Sequence, residues 1–427
     1  MRIAHFIQRY PPALGGSEAY FARLSRYLAA AGERVTVFTT TALDLEAFWS
    51  PRGRCLSAGM SVEDGVEVRR YPLVGRFRGR RWLLKPLSLL PHRLWQCLTL
   101  PCNPVAWAMW QDAGRNLTPF DLVHAAAFPY AWPIACARRL AHRLRVPFVL
   151  TPFLHLGDPD NPRDRTRRAY TTPPFRYLVC SADLIFVQTE RERAALRELG
   201  VAAERLVLQG MGVDRGECTG GDRSRARQQW GVGAEEVVVG HLANLSAEKG
   251  SIDLLRAAER AWQDGHRFRL VLAGPEMPSF RRFWDSYPFA ERVRRLGVLT
   301  EEAKRDFFAG LDLFALPSRS DSFGLVLLEA WANGAANVAY RAGGPAEIIR
   351  HEKDGLLVPC GDVDGLALAL VRLVADDSLR RRLGAAGRER AQREFRWEDK
   401  LAMVRTAYQE LVERFVDSSV SRSGMKA

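Results

Sequence analysis

The first forty residues hold a strand, a glycine turn, a helix and a second strand, and that order leaves few folds open. Residues 2–7 are an apolar run that reads as a strand. Residues 11–18 form a turn around Gly15 and Gly16. Phe21, Leu24, Leu28 and Ala31 then recur at helical spacing until Gly32 stops the helix. Residues 35–39 are the next strand. A strand joined to its neighbour through a helix implies a parallel sheet. The glycine pair lacks the G-x-G-x-x-G spacing, so dinucleotide binding is unsupported. Two glycines do let a backbone approach a ligand closely. Their loop follows the carboxyl end of a parallel strand, where such folds bind ligands. A plain tight turn is the alternative.

The same alternation runs on. Strands are expected at 66–71, 121–124, 146–151, 183–187 and 206–208, with helices at 132–144 and 189–199. Residues 159–172 read as a charged loop. After a Gly-, Arg- and Asp-rich stretch at 214–234, strands are expected at 237–242, 268–273, 297–299, 311–316 and 336–340. Helices are expected near 251–265, 301–310, 346–350, 364–375 and 378–391. The fold class is α/β with two Rossmann-like βαβ domains, residues 1–209 and 210–395, then a C-terminal helix at 396–416 and a tail at 417–427. A cleft between paired α/β domains is the default place for a ligand.

The length of 427 residues suits two cores, and 47% hydrophobic residues suit a globular chain. The net charge of +13 suggests an acidic partner: a phosphorylated substrate or anionic lipid head groups. An Arg-rich solvated surface would give the same charge. No aromatic-plus-basic motif points to nucleic acid. Seven scattered cysteines, an odd number, argue against a disulfide framework or zinc site and fit a reducing compartment. The first residues do not read as a signal peptide, and no apolar run reaches membrane-spanning length. A cytoplasmic location is therefore expected. One segment, residues 76–110, joins Arg76, Arg78, Arg80, Arg81 and Lys85 to many Trp and Leu residues. That is the composition of an interfacial anchor, which would place the chain peripherally at the inner face of a membrane. The alternative is a core-facing helical hairpin with a basic rim, broken by Pro86, Pro91, Pro101 and Pro104.

The stretch at 317–330 carries the chemistry. An apolar strand runs into a Pro/Ser/Asp/Gly loop and then into good helix formers. A helix start with open N–H groups is an anion site. Asp321 lies in the loop, and Glu329 lies roughly 9 Å along a helix that begins near Phe323. Phosphates at the helix start, a sugar at the loop acid and ribose hydroxyls at the helix acid would fit. A Ser/Asp cap followed by a surface Glu would fit equally on this stretch alone.

Taken together, several segments resemble the retaining glycosyltransferases of glycosyltransferase family 4, which have the two-domain GT-B fold. They are Gly15-Gly16-x-Glu18, Ser246-Ala247-Glu248-Lys249-Gly250, the 317–330 stretch, Gly343-Gly344-Pro345-Ala346-Glu347 and residues 354–359. The resemblance implies two domains facing across a cleft, with the C-terminal helix packing back on the first. The first would bind an acceptor and the second a nucleotide-sugar donor. Lys249 would hold the donor pyrophosphate. Asp321 would bond the sugar hydroxyls, and Ser322, Phe323, Gly324 and Leu325 would line the sugar and phosphate. Glu329 would take the ribose, and Gly15 and Gly16 would lie close to the donor phosphate and the acceptor. The family's first-domain histidine is matched first by His155 and second by His124, as a residue that contacts the sugar or positions the acceptor. His5 and His241 read as structural.

The implied activity is hexosyl transfer to an acceptor hydroxyl with retention. The catalytic residues are His155, Lys249 and Asp321, with no enzyme nucleophile, no cofactor and no metal. The acceptor would be a carbohydrate, lipid-linked or small-molecule hydroxyl, as in glycolipid or cell-surface polysaccharide synthesis. Two departures from the family pattern stand out. Asn244 occupies the place of a common donor-binding arginine, for which Arg319 or another basic side chain would substitute, and Asp321 replaces the usual Glu. The alternatives are a sugar-nucleotide epimerase on the same fold, or a non-catalytic sugar-nucleotide or membrane-binding protein.

Overall fold

The computed structural model describes residues 1–77, 79–158, 160–161 and 164–424. Arg78 and residues 425–427 of the expected tail lie outside these. The chain divides into two compact units. The first comprises Met1–Leu154, Arg167–Gln209 and the chain from Leu401; the second comprises His155–Thr166 and Gly210–Lys400.

The first unit is built on an eight-stranded sheet. Its strands are β1 (Arg2–Phe6), β2 (Arg34–Thr40), β3 (Gly59–Glu63), β4 (Val66–Tyr71), β5 (Leu122–Ala126), β6 (Phe148–Thr151), β7 (Leu184–Val187) and β8 (Leu206–Leu208). They lie in the order β3-β4-β2-β1-β5-β6-β7-β8. Every pair is parallel except β3–β4. The central strands are buried almost throughout, which is why they read as continuous apolar runs. The edge strand β3 was not expected. It is mostly exposed and has no apolar run to announce it.

Helices α1 (Gly16–Ala30) and α5 (Ala131–Leu144) pack on this sheet. Between β4 and β5 come α2 (Arg80–Leu87), α3 (Arg93–Thr99) and α4 (Trp107–Arg115). Pro86 lies inside α2 and does not separate two pieces. The expected loop at 159–172 holds α6 (Thr166–Tyr170), followed by α7 (Pro173–Cys180) and then α8 (Glu190–Glu198), which is capped by Thr189.

The second unit has a six-stranded, wholly parallel sheet. Its strands are β9 (Val238–Leu242), β10 (Arg269–Ala273), β11 (Val293–Arg295), β12 (Leu313–Leu316), β13 (Ala336–Tyr340) and β14 (Gly355–Val358), in the order β11-β10-β9-β12-β13-β14. β11 lies ahead of the expected 297–299. It is short and half-exposed, so hydrophobicity does not mark it. The stretch at 214–234 is not plain loop. It holds α9 (Arg215–Cys218) and α10 (Arg223–Trp230), whose first turns are capped by Asp214 and Asp222. The remaining helices are α11 (Ser251–Gln263), α12 (Pro278–Trp284), α13 (Glu301–Gly310), α14 (Leu325–Ala332), α15 (Pro345–Ile348), α16 (Val363–Ala375) and α17 (Asp377–Glu394).

The last helix, α18 (Trp397–Gly424), runs past residue 416 into the expected tail. From Leu401 on it belongs to the first unit. Its Arg405 pairs with Glu33 at 3.0 Å. Its buried Tyr408 hydroxyl bonds Nδ1 of His124 and lies 3.5 Å from Nε2 of His5. No helix among the described residues is long and apolar enough to cross a membrane.

Three core histidines set an acid limit on stability. Burial pushes His5 down to about 3 and His241 down to about 4, and it lowers His124 as well. Unfolding returns each toward 6.5, so the unfolded chain binds more protons below that value. Their stabilisation is therefore present above pH 6.5 and lost on acidification. Each histidine should cost about 1.4 kcal/mol of unfolding free energy per pH unit through this window. Urea unfolding at pH 7.5, 6 and 5 should show falling stability; a flat profile would contradict it.

Candidate functional site

Parallel strands deliver their loops to one edge, and adjacent strands bring those loops together. β9, β12 and β13 are neighbours. Their carboxyl ends lead into the loops that carry Lys249, Asp321 and Gly343-Gly344. The first two loops are tied by the Arg319 N–H, which donates to the Glu248 carbonyl at 2.9 Å. The Gly344 N–H donates to the Asp321 carbonyl at 2.8 Å. The packing leaves no room for side chains at two points. A Cβ at Gly250 (φ 73°) would lie 1.8 Å from the Pro317 carbonyl oxygen, and one at Gly343 (φ 54°) would lie 2.2 Å from the Asp321 carbonyl oxygen. Both positions have left-handed backbones that favour glycine.

Within this frame the Lys249 ammonium donates to Asp321 Oδ2 at 2.9 Å and to the Ser320 carbonyl at 3.1 Å. Burial alone would raise the Asp321 carboxyl. Lys249, His155 and the Phe323 N–H outweigh it and hold the group below the usual carboxylate range. That N–H reaches Asp321 Oδ1 at 3.3 Å, so the Phe323 amide faces the loop acid. Phe323 itself is buried. Gly324, with φ 95°, turns the chain into α14, and the amides of Gly324 and Leu325 open that helix. Ser322 is half-buried beside them.

His155 joins this cluster. Its Nδ1 lies 3.1 Å from the Ser320 hydroxyl. Burial, followed by the Lys249 charge, pushes it down to about 4, so the ring is neutral near pH 7. His124 does not join the cluster. It is fully buried among Phe21, Phe186 and Tyr408, with Nδ1 on Tyr408 and Nε2 2.8 Å from the Thr151 hydroxyl. With both nitrogens taken inside the core it cannot position an acceptor, which corrects the alternative assignment. His5 and His241 are likewise buried and bonded, to Ser25, and to Ser251 and the Ala315 carbonyl.

Glu329 sits on α14 with Oε1 2.6 Å from the Lys304 ammonium. Burial works against the Lys304 charge, but Glu329 outweighs it and holds the lysine above its ordinary range. Lys304 comes from α13 and was not anticipated. It lies 25 residues from Glu329 in the chain, and no local spacing links the two.

Arg319 does not stand in for the missing cation. Its guanidinium donates to Asp253 at 2.5 Å, and that buried carboxylate also takes the Tyr340 hydroxyl at 3.2 Å. Asn244 is exposed in the bend after β9. Among the described residues no group of three or more His, Cys, Asp or Glu side chains is arranged to hold a metal ion.

In the first unit, Gly15 and Gly16 open α1 at the carboxyl end of β1. A Cβ on Gly15 would strike Glu18 Oε2 at 2.2 Å, whereas one on Gly16 meets nothing within 4 Å. Glu18 is itself clamped by Arg9 at 2.7 Å. The glutamate of the glycine motif therefore holds its own turn.

Comparisons with known proteins give the family and the fold. Residues 222–390 match the model for glycosyl transferases group 1, and residues 15–212 match the glycosyl transferase 4-like domain. A D-inositol 3-phosphate glycosyltransferase of Kribbella flavida is 30% identical, over 92% of this chain and 91% of its own. An N-acetyl-alpha-D-glucosaminyl L-malate synthase of Bacillus anthracis is 31% identical over 45% of this chain and 50% of its own. Among solved structures, the sucrose-phosphate synthase of Thermosynechococcus elongatus superposes with TM-score 0.71 at 24% identity, covering 97% of this chain and 99% of that one. HepE of Anabaena, solved with UDP, superposes with TM-score 0.70 at 20% identity, covering 96% and 100%. The two α/β units are the GT-B fold, and the chain belongs to the group 1 glycosyl transferases.

Proposed function

We propose that the enzyme moves a hexosyl group from a nucleoside-diphosphate sugar to an acceptor hydroxyl, with retention and without a metal. One observation carries the reading. A charged carboxylate, Asp321, is held against Lys249 at the opening of α14, and the same helix carries Glu329. The UDP and UDP-glucose bound by HepE of Anabaena support a nucleotide-sugar donor. In this reading Lys249 and the amides of Gly324 and Leu325 face the diphosphate. Asp321, with Ser322 and neutral His155, faces sugar hydroxyls, and Glu329, steadied by Lys304, faces the ribose. Asn244 would reach the donor only by hydrogen bonding, since it carries no charge. Gly15 and Gly16 offer main chain at the ligand edge of the first sheet.

The bond that breaks joins the anomeric carbon to a phosphate oxygen. Negative charge grows on that oxygen, and a preplaced cation with helix-start amides stabilises it without reorganisation. The acceptor hydroxyl attacks from the face the phosphate leaves, and its proton passes to the departing phosphate oxygen. No enzyme nucleophile is needed. We take the acceptor to be a saccharide met at the inner face of a membrane, in glycolipid or cell-surface polysaccharide synthesis.

Nucleoside diphosphate release, measured in EDTA with UDP-, GDP- and ADP-sugars and membrane extract as acceptor, should appear with at least one donor. Silence across the panel would overturn the donor reading. Lys249→Gln should cut kcat/KM about 100-fold or more, the size of losing one charge-stabilising donor. Glu329→Ala should weaken nucleotide binding by about 1.5–3 kcal/mol, the worth of hydrogen bonds to a charged group. Unchanged binding would remove its ribose role. Gly16→Ala should leave the melting temperature unmoved, since its Cβ meets open space, while lowering turnover. Full turnover would mark Gly16 as a plain turn.

A further inference from the structure

Half of the large apolar side chains exposed among the described residues lie between Val74 and Trp107. Trp82 is 80% exposed, Leu89 74% and Leu83 59%. They belong to α2 and to the turn that leads into α3. The hairpin is fastened from beneath. α3 packs on α5 and α7, and Cys97 and Thr99 are buried. The Trp95 indole N–H donates to the Leu87 carbonyl at 3.0 Å. The buried Arg80 guanidinium donates to the carbonyls of Phe48 and Asn103. The apolar side chains left outside therefore sit on a built platform. In sequence, the stretch between Tyr71 and Asp112 holds six Arg or Lys and no Asp or Glu. A patch of this kind is unusual on a soluble surface. Its charge selects an anionic partner, and the mixture of Trp, Leu and cations is that of an interfacial helix.

At the base of the hairpin is a cavity of about 480 Å³, lined in part by Glu46, Trp49, Arg52, Phe77, Arg80 and Trp82. Its walls are the segments that follow β2 and β4, adjacent strands, so it lies at the ligand edge of the first sheet. Arg80 is 3% exposed, and among the described residues it has no carboxylate partner. A buried, carbonyl-bonded cation beside exposed Arg52 favours a phosphate, and the aromatic walls suit an adjoining glycerol or sugar.

We propose that the α2–α3 face docks on an anionic membrane, and that the cavity beneath it takes the phosphate-bearing head group of a lipid. This rests on, and sharpens, the membrane-borne acceptor proposed above. The test is flotation of the full chain with vesicles of phosphatidylcholine, alone or mixed with phosphatidylglycerol. The protein should float with the mixed vesicles and not with phosphatidylcholine alone. The triple variant Trp82→Ser, Leu83→Ser, Leu89→Ser should bind at least about tenfold less, because three interfacial anchors are lost. Arg52→Glu should also bind about tenfold less, because a head-group cation is reversed. Both variants should melt as the wild type does, since the altered side chains are exposed.

Equal flotation of wild type and triple variant overturns the proposal. So does unchanged flotation of Arg52→Glu, which would leave the cavity out of the membrane contact. So does a lipid-free dimer that the triple variant turns into a monomer, which would make the face a contact between copies. Donor turnover is scored separately. A chain that floats as described but releases no nucleoside diphosphate supports this proposal and overturns the donor reading.

Discussion

The ion pair between Lys249 and Asp321 is the constraint around which the second unit's loops are arranged. A half-buried carboxylate would normally take up a proton to escape desolvation. Here an ammonium at 2.9 Å keeps it charged, and three loops must lie close enough to make that contact. The neighbouring strands β9, β12 and β13 supply the loops. Gly250 and Gly343 let two of them approach a third at distances that exclude any Cβ. These glycines carry no chemistry, yet the geometry of the charged pair depends on them.

Much of this architecture was legible because parallel strands buried on both faces read as apolar runs. β13 falls on the expected 336–340, and the βαβ start was plain from Gly15, Gly16 and the helical spacing after them. What was missed lacks that signal. β3 and β11 are short and largely exposed. α10 is rich in Arg and Gln, and its place is set by capping at Asp222 and by Trp230 packing against Gly310, features invisible to a hydrophobic pattern.

The site divides in the same way. Lys249, Asp321 and Glu329 sit in motifs whose order could be read along the chain. Their partners could not, since contacts made by tertiary packing leave no local spacing. Lys304 reaches Glu329 from another helix. Arg319 stands one residue from the loop acid's neighbour Ser320, yet it turns to the buried Asp253. The choice between His124 and His155 was open until Tyr408, 284 residues from His124, was seen to close the core around the former. A histidine's role here depends on who surrounds it, and for His124 that neighbour comes from the far end of the chain.

Two departures from the family pattern then acquire one physical meaning. Asn244 removes a cation, and Arg319 does not replace it, because Asp253 already neutralises it. Three cations near this edge of the sheet are held in pairs: Lys249 with Asp321, Lys304 with Glu329 and Arg319 with Asp253. Under the proposed reading, an arriving diphosphate meets no surplus of positive side chains within these pairs. Its attraction must come from Lys249 shared with Asp321 and from the amides that open α14, whose dipole favours an anion. Sharing requires the lysine to lie within reach of both the loop acid and the phosphate. The shorter aspartate, placed by the Gly343-Gly344 contact rather than by side-chain length, meets the lysine at full hydrogen-bond strength. Under that reading, the loss of a methylene at Asp321 and of a charge at Asn244 leaves Lys249 the one of these three paired cations that faces the diphosphate.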